Sequence, residues 1–148
     1  MSRREPVELT NLCMVYDGEG RILVEDRRDP NWPGLCFPGG HVERGESFVH
    51  SAIREVREET GLVIEQPRLC GVKQFQDDVE GRYVVFYFKT NRFSGQLHAS
   101  SEGEVFWVKR EELKNYTLCG DFLQMLQVFD SDEVSELYTD LQGNRTML

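Results

Sequence analysis

Glu55, Glu58 and Glu59 crowd three carboxylates into five consecutive residues of a chain whose net charge is already −9. Spaced i, i+3, i+4, they project to one side of a helix. Like charges so placed repel by roughly 0.2–0.5 kcal/mol per pair on an exposed face. The crowding is therefore either a solvated acidic surface or a site that a cation completes. Oxygen-rich carboxylate clusters suit hard ions such as Mg²⁺ and Mn²⁺, whose charge density favours oxygen over sulfur or imidazole. Just upstream, Pro38-Gly39-Gly40 lets the backbone approach a ligand closely, and Glu46 lies where that loop re-enters the helix.

The helix that must carry these groups has its own signals. Ser47 is placed to cap its start, and Thr60-Gly61 ends it with glycine where a left-handed residue is wanted. Val49, Ala52, Ile53 and Val56 recur at i, i+3, i+4, i+7, a stripe suited to packing on a sheet. Around it, Leu9–Asp17 and Arg21–Asp26 are apolar runs joined by the turn Asp17–Gly20, which predicts a hairpin. Residues 27–40 hold three prolines and three glycines, a loop with a short extended piece. Gly71–Asp78 and Arg82–Thr90 read as strands around a turn at Val79–Arg82, and Glu104–Arg110 as another strand. A short helix follows from Arg110, a second amphipathic one covers Phe122–Ser131, and the last dozen residues read as loosely ordered. Strands flanking helices predict an α+β domain spanning 1–148, a sheet with helices packed on it.

Composition removes several alternatives. The sequence pI of 4.8 argues against a broad grip on a nucleic-acid polymer, which needs a basic face. A single nucleotide remains compatible, because metal ions can supply positive charge. No apolar run approaches the ~20 residues of a membrane span, and the N-terminal segment lacks the apolar core of a signal peptide. Cys13, Cys36, Cys70 and Cys119 are scattered with no Cys-x-x-Cys pair. Zinc spacing is absent, and reduced thiols in a cytoplasmic protein are expected.

Gly40, Glu46 and the run Arg54-Glu55-Val56-Arg57-Glu58-Glu59-Thr60-Gly61-Leu62 together resemble the complete Nudix box. The box covers 23 residues with every specified position filled. At ordinary residue frequencies a chance match in such a chain is below about one in a million. The resemblance implies a Nudix-type α/β/α sandwich with a mixed central β-sheet, and hydrolysis of a nucleoside diphosphate linked to another moiety. It implies Glu55, Glu58 and Glu59 as principal metal ligands, with a carbonyl from Gly40 and support from Glu46. Arg54 would orient the glutamates by ion pairing. Mg²⁺, with Mn²⁺ as substitute, is the implied cofactor. In this family a glutamate on a later loop sometimes serves as general base, which offers Glu102 or Glu104, with Glu102 favoured by its loop position.

Outside the box, residues 21–40 resemble the stretch leading into the box of MutT-type members, which clear oxidised nucleoside triphosphates. Arg27 or Arg28 could reach substrate phosphates, and Gly39 could approach them through its backbone. Trp32 and Phe37 could stack on a base or pack the loop. Asn11, an amide in an apolar strand, could read a base edge or bond a neighbouring strand, the second being favoured. The base itself would lie over the first strand and the loops around Trp32 and Tyr116. The expected function is a (d)NTP pyrophosphohydrolase, 8-oxo-dGTP being a favoured substrate, acting on a small nucleotide with no nucleic-acid polymer and no membrane as partner. A homodimer is left open. The alternatives are a hydrolase of a nucleotide-sugar or other such derivative, and a non-catalytic nucleotide sensor; intact glutamates argue against the sensor.

Overall fold

The computed structural model describes residues 2–77, 81–98 and 100–148. In chain order the strands are β1 (Val7–Val15), β2 (Arg21–Arg27), β3 (Gly34–Cys36), β4 (Gly39–His41), β5 (Val63–Ile64), β6 (Arg68–Asp77), β7 (Gly81–Thr90), β8 (Phe93–Ser94), β9 (Gly103–Lys109), β10 (Glu136–Thr139) and β11 (Arg145–Met147). Helix α1 (Phe48–Thr60) follows β4, a 3₁₀ turn covers Arg110–Asn115, and α2 (Phe122–Asp130) precedes β10.

Alternation along β1 sets the layers. Cys13 and Val15 pack with Ala52 and Val56 of α1, whereas Met14 packs with Phe122, Met125 and Phe129 of α2. Successive side chains of a strand point to opposite faces, so the two helices cover opposite sides of one sheet. That sheet runs β11-β10-β6-β7-β1-β4, with β1 parallel to β7 and antiparallel to β4. A second sheet runs β3-β2-β9. The architecture is the expected α+β sandwich with a mixed sheet. On the α2 side, Phe37 sits 5.0 Å from the rings of both Phe122 and Phe129. Phe37 is thus a core residue, not a base-stacking one.

Three expectations are corrected. β1 and β2 are not a hairpin: β2 pairs with β3 and β9, and β1 keeps only a single bridge to β2, at Tyr16 and Ile22. The Asp17–Gly20 turn reverses the chain, but β7 and β4 occupy both edges of β1. The C-terminal residues are ordered as β10 and β11, β10 joining the edge of β6 and Leu148 accepting backbone hydrogen bonds from Ser135 and Glu136. The apolar stripe of α1 is shifted, because Val49 is 40% exposed while Ser51, Glu59 and Thr60 are buried with Ala52 and Val56. The turn read at Val79–Arg82 lies partly outside the described residues. No helix among the described residues is long and apolar enough to cross a membrane, and the four cysteines are free thiols.

Candidate active site

Helix α1 is held at both ends. Ser47 Oγ accepts a hydrogen bond from the His50 amide at 3.0 Å, and Gly61, at φ 82°, donates its amide to the Arg57 carbonyl. Arg54 then organises the acidic face. Its guanidinium donates to both oxygens of Glu46 at 2.7 and 2.9 Å, to Glu55 at 2.9 Å, to Glu58 at 3.2 Å and to the His41 carbonyl. Arg54 is thereby kept firmly charged, Glu46 foremost, and Glu46 in turn is held below the usual carboxylate range. Glu46 acts on the site through Arg54. Gly40 lies against the Glu55 carboxylate, where a Cβ would come within 2.5–2.6 Å of it. Burial raises the Glu55 carboxyl, and Arg54 partly offsets this.

Glu59 turns inward, where it meets two carboxylates from other elements. Oxygens of Glu25 on β2, Glu59 on α1 and Glu102 on the loop before β9 all lie within 4.8 Å of one another. The Gly39 amide donates to Glu59 Oε2 at 2.8 Å, so Gly39 spends its amide on this carboxylate. Burial first, then the neighbouring Glu102 and Glu25 carboxyls, push Glu59 up to about 11. Glu25 is also raised, again mainly by burial, with Arg27 opposing. Arg27 is itself half-buried; burial disfavours its charge, but Cys36, Glu25 and Glu59 more than compensate.

The two candidate bases are separated by the β2–β9 register. Glu104 pairs with Asp26 and is exposed with it, on the face away from Glu25 and Arg27. Glu102 precedes the strand, its carbonyl accepting from the Arg28 amide at 3.1 Å, and it faces the cluster. Sequence reading missed Glu25. Glu25 opens the charged run Glu25–Asp29 after Ile22-Leu23-Val24, which reads simply as the polar end of a strand.

A cavity of about 650 Å³ is lined by Glu25, Arg27, Glu102 and Gly40, by Trp32, Phe75 and Tyr83, and by Met125 of α2. Phe75 and Tyr83 stack at 5.0 Å. Beside them Lys73, paired with Asp121, lies 5.7 Å from the Trp32 ring. Tyr83, read as core, and Lys73, Phe75 and Asp121, not singled out, are therefore wall residues. Tyr116 packs on Phe106 instead and does not line this cavity. Asn11 donates from Nδ2 to Ser51 Oγ of α1 at 2.9 Å rather than to a neighbouring strand, and its Oδ1 has no partner.

These donors fit a hard divalent cation. They are all oxygen, Glu25 Oε1 is buried without a partner, and the Glu25–Glu59–Glu102 carboxylates cannot all ionise together unless positive charge offsets them. An oxygen-only cluster beside a cavity of this size, on an α/β/α sandwich, suits metal-assisted chemistry on charged phosphate linkages. The chain belongs to the Nudix family, whose NUDIX domain matches residues 8–129. It is 35% identical to an uncharacterized Nudix hydrolase, YvcI, of Bacillus subtilis over 112 residues, which cover 72% of this chain and 68% of YvcI. It is 31% identical to the NAD-capped RNA hydrolase NudC of Mycobacterium tuberculosis over 116 residues, 75% of this chain but 36% of that protein. The crystal structure of a mutator MutT protein from Bacillus halodurans superposes with a TM-score of 0.73 at 25% identity, covering 93% of this chain and 94% of that one. The chain is thus a Nudix hydrolase of nucleoside diphosphate derivatives, acting on phosphoric anhydride bonds.

Proposed function

We propose that the chain is a (d)NTP pyrophosphohydrolase that releases a nucleoside monophosphate and pyrophosphate, with 8-oxo-dGTP the favoured candidate and Mg²⁺, replaceable by Mn²⁺, as its ion. One observation carries this reading: a single cavity of about 650 Å³ is lined both by charged groups, among them Glu25, Glu102, Arg27 and Arg28, and by the aromatic rings of Trp32, Phe75 and Tyr83. That volume suits a small ligand, and a wall with both charged and aromatic groups suits a nucleotide's phosphates and base. The likeness to a MutT protein supports the triphosphate over other derivatives.

Bound divalent ions would polarise phosphoryl oxygens and acidify an attacking water. Glu55, Glu58 and Glu59, with Gly40, would hold them, and Arg54 fixes two of these carboxylates in place. Arg27 and Arg28 line the cavity and bind the phosphates. Glu102, on its loop, takes the proton of the attacking water with one carboxylate oxygen while the other faces Glu25 and Glu59. Trp32, 48% exposed at the cavity's edge, stacks on the base. The protein works in the cytoplasm as one domain.

The test is turnover of a panel of nucleotides and nucleotide-sugars with Mg²⁺ and Mn²⁺, products identified by chromatography. Trp32→Ala is expected to alter the ratio of kcat/KM between nucleotides severalfold, whereas Glu59→Gln lowers all of them together. Equal loss across every nucleotide in Trp32→Ala would remove Trp32 from the base site. The similarity to NudC favours a second reading, a nucleoside diphosphate linked to a second moiety; faster turnover of dinucleotides than of triphosphates would select it. Binding without turnover would select a sensor.

A further inference from the structure

Glu25 is 1% exposed on β2, and nothing in the reading of the box accounts for it. A carboxylate taken out of water is costly unless something compensates its charge. Its Oε1 has no hydrogen-bond partner, and the Nε of Arg27, on the same face of the strand, is likewise unpartnered. Among the described residues no ion pair ties Glu25 to a cation. The one side-chain hydrogen bond that Glu25 has among them comes from another carboxyl, Glu59. Glu25 faces two more carboxylates, Glu59 and Glu102.

The backbone is arranged to bring it there. The Glu102 loop closes directly onto β2 because residue 103 is glycine; a Cβ at that position would strike the Asp26 carbonyl and come within 3.3 Å of Glu25 Cγ. The Arg28 amide, bonded to the Glu102 carbonyl at 3.1 Å, fastens the loop to the strand. Three acidic groups from a strand, a helix and a loop thus meet with no helical periodicity to force them together. An octahedral Mg²⁺ or Mn²⁺ with metal–oxygen distances of about 2.1 Å places its ligand oxygens about 3.0 Å apart when adjacent and about 4.2 Å apart when opposite. The 4.8 Å limit enclosing the three carboxylates approaches that scale.

We propose that Glu25 is a further metal ligand, completing with Glu59 and Glu102 a deep divalent-cation site separate from the outer carboxylates Glu55 and Glu58 that Arg54 holds. The proposal rests on the metal-dependent reading above, and the helix alone cannot build this site, because its third donor comes from β2.

The test is Mn²⁺ binding to metal-stripped protein without nucleotide, read by the electron-paramagnetic-resonance signal of free Mn²⁺ and by calorimetry, for the unsubstituted chain, Glu25→Gln, Glu58→Gln and Glu59→Gln. Glu25→Gln is expected to lose one class of Mn²⁺ site or weaken it roughly tenfold or more, while a second class sensitive to Glu58→Gln persists. Its melting temperature in chelator should equal or exceed that of the unsubstituted chain. Unchanged Mn²⁺ affinity and stoichiometry in Glu25→Gln, with loss in Glu59→Gln, would overturn the Glu25 assignment and leave the metal-dependent reading standing. No Mn²⁺ binding by the unsubstituted chain would overturn both. Should Glu25→Gln not fold, Glu102→Gln, on an exposed loop, must weaken the same class of site; binding as in the unsubstituted chain would overturn the proposal.

Discussion

A carboxyl group surrounded by other carboxyls must be protonated or compensated, and Glu59 is in that position. In the metal-free protein it holds its proton up to about 11, whereas in the unfolded chain it releases it near pH 4.3. Between those values the folded state binds more protons than the unfolded one, so stability falls as pH rises. Metal-free protein is therefore expected to melt at lower temperature at pH 8 than at pH 5, with Glu59→Gln flattening the difference and saturating Mg²⁺ raising the pH 8 value. Thermal melts in chelator check this; an identical pH slope in Glu59→Gln would contradict it. Glu58 differs, being exposed and held only by Arg54. Glu58→Gln should keep the fold and lower kcat on the order of 10³-fold or more, the loss of a group that stabilises transition-state charge. Paired melts and kinetics on one preparation decide this, and lost melting cooperativity would mark Glu58 as structural.

At the scale of elements, the site depends on one helix and its approach. Ser47→Ala removes the cap of α1 and should cost about 1 kcal/mol, lowering Tm by about 2–4 °C for a chain of this size. Scanning calorimetry measures the shift; no shift would mean that the cap contributes nothing to the helix carrying Arg54 and the three glutamates. Cap, glycine end and glutamate spacing were legible in the sequence because each is local, set within one or two turns of helix. Strand partners were not. β1 finds its parallel partner in β7, where Val7 lies opposite Arg82, and no local turn signal reports so distant a pairing. The strands β10 and β11 escaped notice because they are four and three residues long and gain their order from the edge of β6. Glu25 was hidden for a related reason: its meaning lies in Glu59 and Glu102, which the chain brings to it from two other elements.

At the scale of the molecule, a chain of net charge −9 acts on an anionic substrate. Its field alone would repel that substrate; in the proposed function, cations held by the carboxylates and the cavity-wall residues Arg27 and Arg28 supply the attraction. Charge neutralisation and cleavage then occur at the same place. The measurement that tests this most directly is hydrolysis of a nucleoside triphosphate by metal-stripped protein in ¹⁸O-labelled water, with and without Mg²⁺, all products quantified. Expected are negligible turnover in chelator, full recovery with Mg²⁺, and equal amounts of nucleoside monophosphate and pyrophosphate, one of them carrying the label. Full turnover in excess chelator, or release of orthophosphate and nucleoside diphosphate, would contradict it.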